Sequence, residues 1–152
     1  MLARIRGRSG GARARLGRDL RTAYLDERRV AKQLRQHGTR VPYPALADDF
    51  TRLADLADGH AALLADELHT LAGNTDPSDT VEPRDGHNHW QRLTLDLAAL
   101  ESLHQRYTEL ATHWDVDFPA TAVTFEHLAR ATAVMTRELR AMIARSDPHA
   151  GN

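Results

Sequence analysis

Cysteine is absent from the 152-residue chain, which excludes both a disulfide frame and a zinc–thiolate site. Lysine is almost absent as well. Lys32 is the only one among twenty basic residues, a bias that reflects genomic base composition before it reflects chemistry. β-Branched residues are scarce, so nothing favours a sheet. No apolar run approaches the roughly 20 residues of a membrane helix. No hydrophobic segment follows the N-terminus as in a secretory signal, so a cytoplasmic location is expected. A Gly-rich phosphate loop, a helical His-Glu-x-x-His motif and a nucleophile elbow are all missing, which removes the commonest signatures of nucleotide, metalloprotease and hydrolase chemistry.

What remains is rich in Ala, Leu, Arg, Glu and Gln, the composition of helices. The length suits one domain with one packed core. Net charge is −1 but unevenly spread: residues 1–18 hold six arginines and no acid, leaving −7 on residues 19–152 (14 basic against 21 acidic). The basic stretch, with Arg4, Arg6, Arg8, Arg13 and Arg15 among Gly7, Gly10 and Gly11, is the only candidate for binding nucleic acid or another polyanion. It lacks the interleaved aromatics of a single-strand binder and reads as a solvated tail or helix extension over residues 1–15. Residues 16–146 read as the folded body and 147–152 as a C-terminal tail.

Four apolar stripes step by three and four, the spacing of a helix bundle. The first helix is expected from about residue 12 to 36, with Leu16, Leu20, Tyr24, Ala31 and Leu34 inward and Glu27 in the same row. Gly38 should stop it. The second starts at Pro44, a good first-turn residue, and carries Phe50, Leu53, Ala57, His60, Leu64, Leu68 and Leu71 to Gly73. The third runs from about 87 to 114 on Trp90, Leu93, Leu97, Leu100, His104, Tyr107, Ala111 and Trp114. The fourth runs from about 120 to 146 on Phe125, Leu128, Thr132, Met135, Leu139 and Met142. The first and last pairs are joined by short loops and form antiparallel hairpins. Residues 73–85 are a loop of turn-forming residues. Extended, they reach about 43 Å, the length of a 29-residue helix. They can cross the bundle end to end and leave the second and third helices parallel.

The two hairpins look like copies. Tyr43-Pro44 and Phe118-Pro119 are each followed by Phe at six residues (Phe50, Phe125), Leu at nine (Leu53, Leu128), and His60 or Met135 at sixteen. Upstream of the prolines stand Glu27, at seventeen residues, and Glu101, at eighteen. A charge on a core face is expensive unless it is paired or bound to metal. Glu101 and His104, three apart, share one helical face, and carboxylates with imidazoles converging from several helices are how bundles hold metals.

With these residues the chain resembles the ferritin-like superfamily, nearer its small rubrerythrin-like members. The likeness covers roughly residues 16–145, and the segment Val41-Pro42-Tyr43-Pro44 before an acidic, Ala/Leu-rich helix is its most specific part. The resemblance implies an all-α four-helix bundle of two hairpins with a long crossover between the second and third helices. It also implies a dinuclear metal site with one Glu from the first and third helices and Glu-x-x-His from the second and fourth. Glu27, His60 and Glu101 fill three of those six positions. Ala57 stands where the second helix needs its glutamate, and Thr132 and Met135 replace the pair on the fourth. Both bridging glutamates are therefore missing, and dinuclear iron chemistry is not carried over. A hemerythrin, the other histidine-rich metal bundle, lacks its His-x-x-x-Glu and His-x-x-x-His spacings here.

The expected function is a non-catalytic ferritin-like bundle serving as an interaction or assembly module, as a homodimer or with another protein partner, without a cofactor. The alternative is a single iron, manganese or zinc ion held by Glu27, His60, Glu101 and His104, with possible oxidoreductase activity. The same residues also fit a metal-free hydrogen-bond network, for which Tyr24 and Tyr107 are available partners. A further alternative is a small apolar ligand in a bundle centre lightened at Ala57, Thr132 and Met135. Outside that centre, His87 and His89 beside Asp85 are a weak surface metal candidate. His37 and His113 sit at helix ends, where an imidazolium favours the dipole. The acids of the second helix (Asp48, Asp49, Asp55, Asp58 and Asp66) read as a solvated face.

Overall fold

The protein is described by a computed structural model over residues 2–73 and 80–146, with side chains described from residue 10 onward. The expected residues 147–152 of the C-terminal tail lie outside the described residues. Among the described residues four α-helices make up the fold: α1 (Leu2–Gly38), α2 (Pro44–Ala72), α3 (His89–Trp114) and α4 (Pro119–Ser146). The basic stretch is continuous with α1, which at 37 residues outruns the 29 of α2. No helix among the described residues is long and apolar enough to cross a membrane.

Each boundary has a local cause. Gly38 ends α1, and a side chain there would meet Phe50 Cβ at 2.8 Å, so the tight approach of α2 requires glycine. Pro44 occupies the first turn of α2, where its missing N–H loses nothing. Gly73 closes α2 with φ of 75°, a conformation glycine adopts without steric cost. Asn88 caps α3 by accepting from the Gln91 backbone N–H at 2.9 Å, while Gln91 Oε1 accepts from the His87 N–H at 2.8 Å. The two side chains satisfy donors that the helix start leaves unpaired.

Side-chain pairs set the topology. Arg35 of α1 meets Asp55 and Asp58 of α2, and Arg13 donates to the Leu71 carbonyl, so α1 and α2 are antiparallel. Gln33 meets Asp96, Glu27 meets Tyr107 and Asp19 meets Trp114, so α1 and α3 are antiparallel as well. Arg52 with Glu138, and Glu67 with Thr121 and Thr124, run α2 antiparallel to α4. It follows that α2 and α3 are parallel, as the long linker implied. The described end of that linker lies along α1: Lys32 donates to the Val81 carbonyl, and the Arg84 N–H donates to Gln33 Oε1.

The core is one contiguous cluster drawn from all four helices. The repeat survives in it, since Phe50 and Phe125, Leu53 and Leu128, Ala54 and Ala129, Ala57 and Thr132, and His60 and Met135 are all buried. Two stripes differ in phase from expectation. On α1, Ala23 and Val30 are buried and Tyr24 only half-buried. On α3 the inward row is Leu93, Asp96, Leu100, Leu103, Tyr107, Leu110 and Trp114, so Leu97 and His104 give way to Asp96 and Leu103. Both rows have the same three–four spacing, and only the partners across the bundle distinguish them.

Candidate functional site

At mid-bundle, α1 places Glu27 in the core at 1% exposure, α3 brings the fully buried Tyr107, and α2 brings His60 at 7%. The Tyr107 hydroxyl donates to Glu27 Oε1 at 2.7 Å. His60 Nδ1 lies 3.3 Å from the same oxygen. Glu27 is the acceptor for the phenol, so His60 presents a protonated Nδ1. Burial first, then the charge of Glu27 and the hydrogen bond to it, push the Tyr107 hydroxyl far above its ordinary pKa, because each disfavours a phenolate. The phenol is held as a neutral donor. Glu27 Oε2 is buried and has no partner among the described residues.

The positions around this triad are apolar or already satisfied. Ala57 and Met135 belong to the core cluster. Thr132 is sealed from solvent, and its hydroxyl donates to the Leu128 carbonyl at 2.7 Å. Tyr107 and Phe125 stack with ring centroids 6.2 Å apart and wall the triad on its α4 side.

Of the four expected ligand residues, the structure brings together two, Glu27 and His60. Glu101 faces outward and is ion-paired with Arg140 at 2.5 Å, both side chains about half exposed. His104 is also at the surface, with Nδ1 2.9 Å from the Ala129 carbonyl. The reason lies in the loops. The first hairpin joins its helices through five residues, 39–43, and the second through four, 115–118. Counting back across the shorter loop carries the Glu27 register to the buried Leu103, two residues beyond Glu101. Among the described residues no three His, Asp or Glu side chains converge in a way that would hold a metal ion. The His87–His89 pair gains no third donor, because Asp85 is engaged by Arg40, Arg92 and the Gly86 N–H.

A second buried polar cluster was not anticipated. His37 and Asp96 are both 1% exposed and Gln33 is 2% exposed. His37 Nδ1 lies 2.8 Å from Asp96 Oδ2, and Nε2 lies 3.1 Å from the Arg84 carbonyl. Gln33 donates to Asp96 Oδ1 at 2.8 Å and accepts from the Arg84 N–H at 3.0 Å. A carbonyl only accepts, so Nε2 carries a proton, and one further proton lies between Nδ1 and the carboxylate. Burial pushes the Asp96 carboxyl above its ordinary pKa, opposed by His37 and Gln33. The cluster ties the end of the crossover linker to α1 and α3. His37 is therefore more than a charge at a helix end. The available signal was Asp96 itself, a charged residue at core spacing between Leu93 and Leu100.

No known protein-family model and no curated protein sequence matches the chain. Among solved structures it is similar to the dodecameric thioferritin of Bacteroides fragilis, a bacterioferritin-related protein. The TM-score is 0.74 at 19% sequence identity, with 88% of each chain covered. The fold is a ferritin-like four-helix bundle. At that level of identity the likeness speaks for the fold and leaves the chemistry to the residues described above.

Proposed function

We propose that this chain is a non-catalytic ferritin-like bundle that works as an interaction and assembly module, its centre closed by hydrogen bonds instead of a dinuclear metal site. The carrying observation is the triad. Glu27 Oε1 receives both Tyr107 and His60, while the positions that would supply bridging carboxylates hold Ala57, Thr132 and Met135 in the packed core. One carboxylate and one imidazole do not make a dinuclear ligand set, so the residues present do not fit such a centre. The similarity in fold to a dodecameric protein is consistent with a role in assembly.

Elemental analysis of the purified full-length chain, with and without incubation in iron(II), manganese(II) or zinc(II), tests this reading. The expected outcome is far less than one equivalent of firmly held metal and no oxygen consumption on adding iron(II). Two equivalents per chain would overturn it.

One observation favours a second reading, a single ion at the same place. Glu27 Oε2 is buried without a partner, and an unpartnered buried carboxylate oxygen is costly. In that reading Glu27 and His60 are the protein ligands, and Tyr107 orients the carboxylate through its other oxygen. The reading requires one equivalent of metal that is lost in Glu27→Gln and in His60→Ala.

A further inference from the structure

The large apolar side chains that α2 and α4 leave exposed stand on a single face. Leu56 is 41% and Leu63 40% exposed on α2, with Val123 and Val134 also exposed on α4. Among the described residues α1 exposes no large apolar side chain, and α3 exposes only Trp90 at its start. Leu56 stands one turn after Arg52, and Leu63 one turn before Glu67. Arg52 and Glu67 are the residues that reach α4, so both leucines sit on the α4 side of α2. Val134 stands one turn before Glu138, which receives Arg52. Between the leucines lies Gly59, where an added Cβ would meet nothing within 4 Å. Among the described residues nothing covers this strip.

From this we infer that the α2–α4 face packs against the same face of a second copy, with two α2 helices antiparallel and a two-fold axis beside Gly59. The occupant is argued from self-complementarity. In that arrangement Leu56 of one copy meets Leu63 of the other, and Gly59 lets the backbones approach closely. Arg52 of one copy falls opposite Glu67 of the other, and the reverse, as a two-fold interface requires. Glu67 is suited to such a partner. Its two oxygens accept only from the Thr121 and Thr124 hydroxyls, at 3.0 and 2.7 Å, and it has no ion pair among the described residues. Arg52 stands at the other end of the strip with its side chain half exposed, already paired within its own chain with Glu138 at 2.6 Å and Asp49 at 3.4 Å. Two adjacent helices about 43 Å long and about 10 Å apart present a face of about 800 Å², the area each partner contributes to a standard stable interface. The inference deepens the assembly reading and rests on it.

The absence of cysteine makes the test clean. Sedimentation of the full-length wild-type chain up to about 100 μM should show a dimer or a multiple of it, since specific interfaces of this size dissociate well below that concentration. Leu56→Glu and Leu63→Glu should each yield a monomer with unchanged helical circular dichroism. Arg52→Glu and Glu67→Arg should each weaken self-association about tenfold, and together restore it to within about threefold. Gly59→Cys should form a disulfide-linked dimer under mild oxidation, because paired cysteines need Cα atoms about 5–6 Å apart, while Gln105→Cys, on the exposed side of α3, should not. A wild-type chain that stays monomeric overturns the inference. So does an oligomer indifferent to the leucine substitutions, with no crosslink at position 59. Neither result touches the assembly reading, which fails separately if two metal ions are found per chain.

Discussion

Replacing Tyr107 with phenylalanine isolates one contact of the central triad. The substitution leaves the ring stacked on Phe125 and removes only the hydroxyl that donates to Glu27 at 2.7 Å. Glu27 then keeps a single donor, His60 at the longer distance of 3.3 Å, and Oε2 is already without one. A hydrogen bond to a charged acceptor contributes about 1.5–3 kcal/mol, and loss of the donor exposes that much of the carboxylate's desolvation penalty. We expect a loss of about 2 kcal/mol, which for a chain of this size lowers Tm by about 4–8 °C. Urea denaturation followed by circular dichroism measures it. The decisive comparison is the same substitution in a Glu27→Leu background. There the phenol has already lost its acceptor, so Tyr107→Phe should be neutral or slightly stabilising, giving a coupling energy of about 2 kcal/mol. Equal losses in the two backgrounds, or no loss in the wild type, would refute the claim that the phenol acts through Glu27.

Other outcomes follow from the same geometry. Glu101→Ala should change stability by no more than about 1 kcal/mol in urea denaturation, because its pair with Arg140 is exposed to solvent; a loss of 3 kcal/mol or more would mean that Glu101 faces the core. Gly38→Ala should destabilise by about 1–3 kcal/mol in the same assay, as its Cβ would strike Phe50, whereas Gly10→Ala, with open space around it, should add about 0.5–1 kcal/mol from helix propensity. Asp96, with a folded pKa raised by burial, favours the folded state fully below the ordinary carboxylate pKa, and that contribution falls as pH rises through the folded value. The stability of the wild type minus that of Asp96→Asn should accordingly decline as pH climbs from about 4, and a difference flat or rising with pH would contradict the burial argument.

The helices, their short loops and the crossover were legible in the chain because each depends on neighbours in sequence. The three–four spacing marks a helix that buries one face, Pro44 and Gly38 punctuate locally, and the turn-forming residues 73–85 are enough to cross the bundle, although α3 begins only at His89. Glu27 and His60 were legible for the same reason, as polar residues on otherwise apolar rows. The phase of α3 was not. Leu97 and His104 satisfy helical spacing as well as Asp96 and Leu103 do, and the offsets of seventeen and eighteen residues before the prolines align Glu101 with Glu27 although the second loop is one residue shorter.

The sequence alone determined which segments are helical and that they pair as two hairpins, since these are matters of residue type and local period. Only tertiary structure decided which polar groups meet. Glu27 finds its donor in Tyr107, 80 residues away, and His37 finds Asp96 at a separation of 59. A helix rotated by one residue, about 100°, presents a different row to its neighbour, and the packing of all four helices together, not the propensity of any one, selects the row that is buried.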